Sequence, residues 1–203
     1  MLCLFPKKKE NLSGPIEYLV VGLGNPGKQY EGTRHNAGFI ALDYIAARAG
    51  AKLDRLKFKG LCGEAEIAGH KVLLLKPGTY MNLSGQSVIE AMGFYKLAPQ
   101  KVIVIYDDIS FPPGRLRIRL KGSDGGQNGM KNIIYLSGTE DFPRIRLGTG
   151  DRPDRRWNLA DWVLSRFSES DWKLFQEAVK NAADALELMV QGRADEAMNR
   201  YNG

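Results

Sequence analysis

The sequence predicts an α/β protein: a single-domain mixed, largely parallel sheet covered by helices on both faces. Three observations carry that expectation. Tyr18-Leu19-Val20-Val21 and Val102-Ile103-Val104-Ile105-Tyr106 are continuous apolar runs of strand length, as strands buried on both faces require. Segments with apolar residues at helical spacing alternate with these strands, the order that builds parallel sheets. No internal repeat or low-complexity linker divides the 203 residues, a length that fits one domain with a substantial core.

Residues 1–15 read as a flexible basic leader ending at Pro15, and residues 16–203 as one domain. The leader places Lys7, Lys8 and Lys9 after a very short apolar run, the wrong order and length for a secretory signal. After the strand at Tyr18–Val21, apolar residues from Phe39 to Ala49 recur at helical spacing, and Gly50 stops the helix. Residues 62–67 and 72–75 flank Ala68-Gly69-His70-Lys71 as a β-hairpin, which puts His70 in the turn. Residues 76–82 form a loop, and Leu83-Ser84 leads into a helix carrying Val88, Ile89 and Met92. The strand at 102–106 runs into Asp107-Asp108. Residues 114–121 alternate Arg115, Arg117, Arg119 and Lys121 with apolar Leu116, Ile118 and Leu120, a strand with cations on one face. A glycine-rich loop at 122–129 precedes a short helix, and residues 142–147 return as a strand. An amphipathic helix spans 171–189, and a short terminal helix follows Gly192.

Composition limits the function classes. The apolar fraction is 43% and the charged fraction 26%, those of an ordinary globule, and no run approaches the ~20 apolar residues of a membrane span. Cys3 and Cys62 have no metal or redox spacing, so a reducing cytoplasm is expected, with no metal and no cofactor. A net charge of +6 favours polyanionic partners.

Gly22-Leu23-Gly24-Asn25-Pro26-Gly27 matches G-x-G-x-x-G, yet it does not fit a dinucleotide turn. In that turn a helix opens within the glycines and its N–H groups hold a pyrophosphate. Here Pro26 removes one N–H, the next residues have no helical period, and Asp43 falls inside a helix. What remains is a strand ending in a rigid loop that presents Asn25, with His35 shortly after it. Open α/β sheets gather ligands beyond the carboxyl ends of their strands. Three polar loops are expected there, carrying Asn25, Asp107 and Asn128, with Asn82 after the hairpin. His35 suits a general base, and Asp107, an acid ending an apolar strand, suits the group that fixes its tautomer. No G-x-S-x-G elbow is present and neither cysteine lies in a polar loop, so direct attack by water is the expected chemistry. The alternating cations, with Arg144, Arg146, Arg152, Arg155 and Arg156, suggest a phosphate-backbone site.

Together these residues resemble bacterial peptidyl-tRNA hydrolases. The resemblance covers Tyr18 to the C-terminus and rests on four motifs in order: residues 21–38, including Asn25-Pro26-Gly27 and Thr33-Arg34-His35-Asn36; Lys76-Pro77 with Tyr80-Met81-Asn82-Leu83-Ser84-Gly85; the surroundings of Asp107; and residues 125–129. It implies hydrolysis of the ester between a peptide and the 3′-terminal ribose of tRNA, in the cytoplasm, by a monomer without a cofactor. His35 matches the general base, Asp107 the acid that holds it, and Asn25 the residue favouring N-blocked over free aminoacyl groups. Tyr30, Tyr80, Asn82 and Asn128 match positions at the tRNA end or the reacting water. Met81 matches the peptide-side pocket, and Arg119, Arg146 and Arg156 match basic tRNA contacts. The chain departs from the family at Tyr106 and Gln127, where histidine is usual, and around Asp108, Ile109 and Ser110. The alternative is a non-catalytic RNA-binding protein on the same scaffold.

Overall fold

A computed structural model of the chain describes residues 14–154 and 156–202. The leader as far as Ser13, with Cys3, lies outside the described residues, as does Arg155. Among the described residues the chain forms a seven-stranded sheet in the order β2-β3-β4-β1-β5-β7-β6. Its centre is β1 (Tyr18–Gly22), hydrogen-bonded in parallel to β4 (His70–Pro77) on one side and β5 (Val102–Asp108) on the other. Strand β7 (Arg144–Gly148) extends the parallel set beyond β5. Antiparallel strands finish the edges: β3 (Gly60–Ile67) and β2 (Arg55–Lys57) beside β4, and β6 (Leu116–Arg119) beside β7. The mixed sheet with a parallel centre is what the apolar runs predict, because every residue of β1 and β5 is buried.

Two apolar layers cover the sheet. On one face, Val20, Ile103 and Ile105 pack with α1 (Ala37–Ala49), α5 (Glu169–Val190) and α6 (Ala194–Tyr201). On the other, Leu19, Val21, Val104 and Tyr106 pack with α2 (Ser84–Tyr95) and α3 (Asn128–Ser137). The segment after β1 enters α1 on the first face, and the segment after β4 enters α2 on the second. Strand order also reverses at β1, so a crevice opens where the two exits diverge. Among the described residues no helix is long and apolar enough to cross a membrane.

Several expectations are corrected. The hairpin turn is Ala68-Gly69 alone, both residues having left-handed φ, and His70 begins β4 with Nδ1 2.9 Å from Glu17 Oε2. The alternating strand is shorter than its sequence period: β6 spans Leu116–Arg119, and Leu120 is exposed instead of facing the core. Because β6 is antiparallel to β7, the glycine-rich loop leaves it at the amino end of the parallel strands, where Gly122 N–H donates to Glu140. Residues 123–127 then run back, so that α3 starts at the carboxyl ends. Arg144 leaves the basic face altogether. It is buried and donates to the carbonyl oxygens of Phe142, Ser123 and Glu140, fastening this returning loop to β7. Two elements have no clear sequence signature. All three residues of β2 are exposed, and the short α4 (Leu159–Val163) buries none of its residues fully.

Candidate active site

The site is assembled by how α1 meets β1 and β5. Leu23 N–H donates to the Ile105 carbonyl at 2.9 Å, and Phe39 N–H donates to the Leu23 carbonyl at 3.2 Å. These bonds hold the start of α1 against the end of β5. Gly38 makes the approach possible, since a Cβ there would overlap the Ile105 carbonyl oxygen and the Leu23 amide. The 3₁₀ turn Arg34–Asn36, just before α1, is thereby set beside the last residues of β5.

There His35 Nδ1 lies 2.8 Å from Asp107 Oδ2. Alternation along β5 chooses the acid. Asp107 continues the side of Ile103 and Ile105, toward α1, whereas Asp108 continues the side of Val104 and Tyr106. Asp108 is spent on the opposite side, where Arg146 Nε and Nη2 each lie 2.5 Å from its Oδ2. An ionised carboxylate only accepts, so the neutral imidazole carries its proton on Nδ1 and leaves the Nε2 lone pair available. Burial pulls the imidazole pKa down, but the charge of Asp107 and its hydrogen bond outweigh that, and His35 titrates above its ordinary value.

Asn25 enters from the loop after β1 and is buried. Its main-chain N–H donates to Asn36 Oδ1 at 2.8 Å, and its carbonyl accepts from Asn36 Nδ2 at 3.0 Å. Its side-chain Oδ1 accepts from Met81 N–H at 2.8 Å, across the crevice between the exits of β1 and β4. That bond fixes the orientation of the carboxamide, and Nδ2 is left as a donor for a ligand. Met81 begins the 3₁₀ turn Met81–Leu83 and is itself buried.

Asn25, His35, Tyr80, Met81, Asn82, Asp107, Asn128 and Arg146 line one cavity of about 630 Å³, a volume suited to a small organic moiety. Its other wall is α4 and its C-cap, through Leu159, Ala160, Val163 and Leu164. Tyr30, Arg119 and Arg156 do not line it. Tyr30 closes a 3₁₀ turn in the loop after Asn25, Arg119 is exposed on β6, and Arg156 is exposed and paired with Asp154. Arg115, Arg117, Arg119 and Lys121 make no ion pair among the described residues, so this basic strip is unneutralised, although the Arg117 guanidinium stacks 4.6 Å from the Phe111 ring centre.

Three contributors are missed by reasoning from sequence. Asn36 clamps Asn25 from both sides, as above. Gln127 donates from Nε2 to Asp107 Oδ1 at 3.1 Å. Arg34, buried beside His35, donates to the Arg166 carbonyl and to Asp171, with its guanidinium 4.0 Å from the Trp162 ring centre. It thereby ties the turn bearing His35 to the segment around α4. The residue order gives no signal for it, since an arginine before a histidine reads as a surface residue until the fold shows it buried, where a guanidinium requires partners.

Residues 19–203 match the family model described as peptidyl-tRNA hydrolase. The peptidyl-tRNA hydrolase of Agathobacter rectalis is 55% identical over 186 residues, 91% of this chain and all of that one. That of Caldicellulosiruptor bescii is 50% identical, covering 93% of this chain and 98% of its own. A crystal structure of peptidyl-tRNA hydrolase from Acinetobacter baumannii superposes with a TM-score of 0.87 at 37% identity, over 94% of this chain and 97% of that one. Agreement at this level in sequence and in fold, along nearly the whole length, leaves one conclusion: the chain belongs to the peptidyl-tRNA hydrolase family.

Proposed function

We propose that the chain hydrolyses the ester joining a peptide, or another N-blocked aminoacyl group, to the 3′-terminal ribose of tRNA, with His35 as general base. The observation that carries this is the His35–Asp107 pair on the wall of a cavity of ligand size, with Nδ1 committed to the acid and Nε2 therefore left for water. Nε2 takes a proton from water as the oxygen attacks the ester carbonyl. The carbonyl π electrons move onto its oxygen, giving a tetrahedral oxyanion, and Asp107 stabilises the imidazolium formed. The intermediate then collapses, the bond to the ribose oxygen breaks, and the proton on Nε2 passes to that oxygen. Free tRNA and the peptide acid are the products.

Asn25 has a particular part. Its Oδ1 is occupied by Met81, so it meets the substrate as a donor, from Nδ2 to a carbonyl or developing oxyanion. An N-blocked acyl group offers a peptide carbonyl where a free aminoacyl group carries a hydrated ammonium, which supports the assigned preference. Tyr80, Asn82 and Asn128, exposed at the cavity rim, are assigned to the tRNA end and the reacting water, and Met81 to the peptide side. Tyr30 is assigned to the tRNA end from outside the cavity, and Arg119, Arg146 and Arg156 to phosphates. All these groups come from one chain, so a monomer suffices, and a substrate of translation makes the cytoplasm its place of work.

The deciding experiment uses purified full-length chain and N-acetyl-aminoacyl-tRNA, with release of the N-acetyl-amino acid as readout. Release at enzymatic turnover is expected. Intact tRNA binding with no release would replace the enzyme by the non-catalytic RNA-binding alternative.

The unneutralised strip on β6 has its own consequence. Replacing Arg117 and Arg119 together with glutamine is expected to raise KM for whole tRNA. The slope of log affinity against log salt should become shallower by about one unit for each phosphate no longer engaged. Turnover of a short ester lacking the tRNA body should barely change. Equal losses on both substrates would make these arginines supports of the fold.

A further inference from the structure

Gln127 is an unusual choice where it stands. It is the N-cap of α3, its Oε1 accepting from Met130 N–H at 2.8 Å. Asparagine, aspartate and serine perform that task with shorter side chains and are strongly preferred for it. The longer glutamine spans two groups at once, because its Nε2 lies 3.1 Å from Asp107 Oδ1 and 3.1 Å from Met81 Sδ. Packing preserves this reach. A Cβ on Gly129 would come within 3.0 Å of Gln127 Oε1 and 2.7 Å of Met81 Sδ, so the glycine leaves room for the amide. Both Gln127 and Asp107 are buried, so loss of the amide as a partner of Oδ1 costs more than it would at the surface.

We infer that Gln127 is a positioning residue: its amide holds the Asp107 carboxylate in the plane and rotamer that aim Oδ2 at His35 Nδ1, and it couples the start of α3 to the catalytic pair. Three links follow one another across the site: His35 to Asp107 Oδ2, Asp107 Oδ1 to Gln127, and Gln127 to Met81. The main-chain N–H of Met81 then reaches Asn25, whose clamp Asn36 follows His35 in the chain. The ring closes on itself, with Gln127, the N-cap of α3, as its one link to that helix. The amide is also neutral at every working pH, so it donates to Asp107 without adding a charge. The other charged or titratable groups lining the cavity are Asp108 with its partner Arg146, Asp124, Tyr80 and Tyr106.

This inference rests on His35 and Asp107 acting as proposed, and the test separates the two. Gln127→Ser retains a strong helix cap but cannot reach Asp107. Gln127→Glu retains both cap and reach but offers a carboxylate where the amide donated. Both are measured for N-acetyl-aminoacyl-tRNA hydrolysis across pH, beside Tm. With Tm within a few degrees of wild type, kcat should fall roughly 10- to 100-fold in each, the loss expected of one hydrogen bond to a charged group, with KM changed only a few-fold. The acid limb of the profile should move to higher pH. Without the donor more of the Asp107 charge acts on the imidazole, and the added carboxylate of Gln127→Glu moves it further. Wild-type kcat and an unmoved limb in both variants would make Gln127 a helix cap alone and overturn the inference. So would a loss of rate that follows Tm while the limb stays put. Wild-type activity in His35→Ala would instead remove the proposed base, whatever the Gln127 variants do.

Discussion

His35→Ala lowers kcat by roughly 10²–10⁴-fold while KM for N-acetyl-aminoacyl-tRNA stays within a few-fold of wild type. The expectation follows from where the side chain stands. The ring is mostly covered, Nδ1 is committed to Asp107, and the remaining ring nitrogen is its only means of activating water. Alanine removes that nitrogen and leaves the basic strip on β6 untouched, so tRNA still binds. The wild-type rate, for its part, should decline as pH falls through the raised pKa of His35, since protonation consumes the base. Measured in single turnover, the variant should bind and fail in the chemical step. A KM effect with kcat intact would reassign His35 to binding.

Asp107→Asn is the second large effect, expected on the order of 10²–10⁴ in kcat. Asparagine has nearly the same shape, so Gln127 and β5 need shift little. Its amide can donate to Nδ1, which favours the wrong tautomer, with the proton on Nε2 where the base is needed. The pH profile gives a second signature whose sign is fixed. In the wild type, burial pushes His35 downward and the charge and hydrogen bond of Asp107 push it upward and prevail. Removing the charge leaves burial to act, so the acid limb moves to lower pH. Asp108→Asn, by contrast, uncouples Arg146 and should leave the limb in place with a smaller loss of rate. Exchange of these behaviours between the two variants would make Asp108 the orienting acid.

Much of this is legible from residue order, for physical reasons that differ by element. Strands β1 and β5 announce themselves because burial on both faces demands an unbroken apolar run, and the helix ending at Gly50 because one face alone is buried. Alternation shows that only one of Asp107 and Asp108 can face His35, while which of them does so depends on the sheet face that α1 covers. The loops, with their polar residues, also point to the cavity, and eight of the eleven assigned residues do line it. Long-range partners are not legible. Nothing in the order of residues shows that β6 runs antiparallel, so the sequence places the exit of the glycine-rich loop at the wrong end of the sheet. Arg144 and Arg146 look alike on an alternating strand, yet one is buried among carbonyls and the other faces the cavity. Asn36 and Gln127 carry ordinary turn and cap chemistry in sequence, and only folding reveals what their second hydrogen-bonding group meets.

The Asn36 clamp also bears on the temperature dependence of the reaction. One carboxamide holds both main-chain groups of Asn25, and it belongs to the residue that follows His35. The water-activating ring and the carbonyl-seeking amide, carried by separate loops, are thus riveted at a fixed separation before any substrate arrives. Freezing a polar side chain at the moment of binding costs about 0.5–1.5 kcal/mol, largely entropic. Here that ordering is completed during folding. The chemical step should therefore show a small activation entropy, and loosening the rivet with Asn36→Ala should make that entropy more negative while the chemistry itself stays the same.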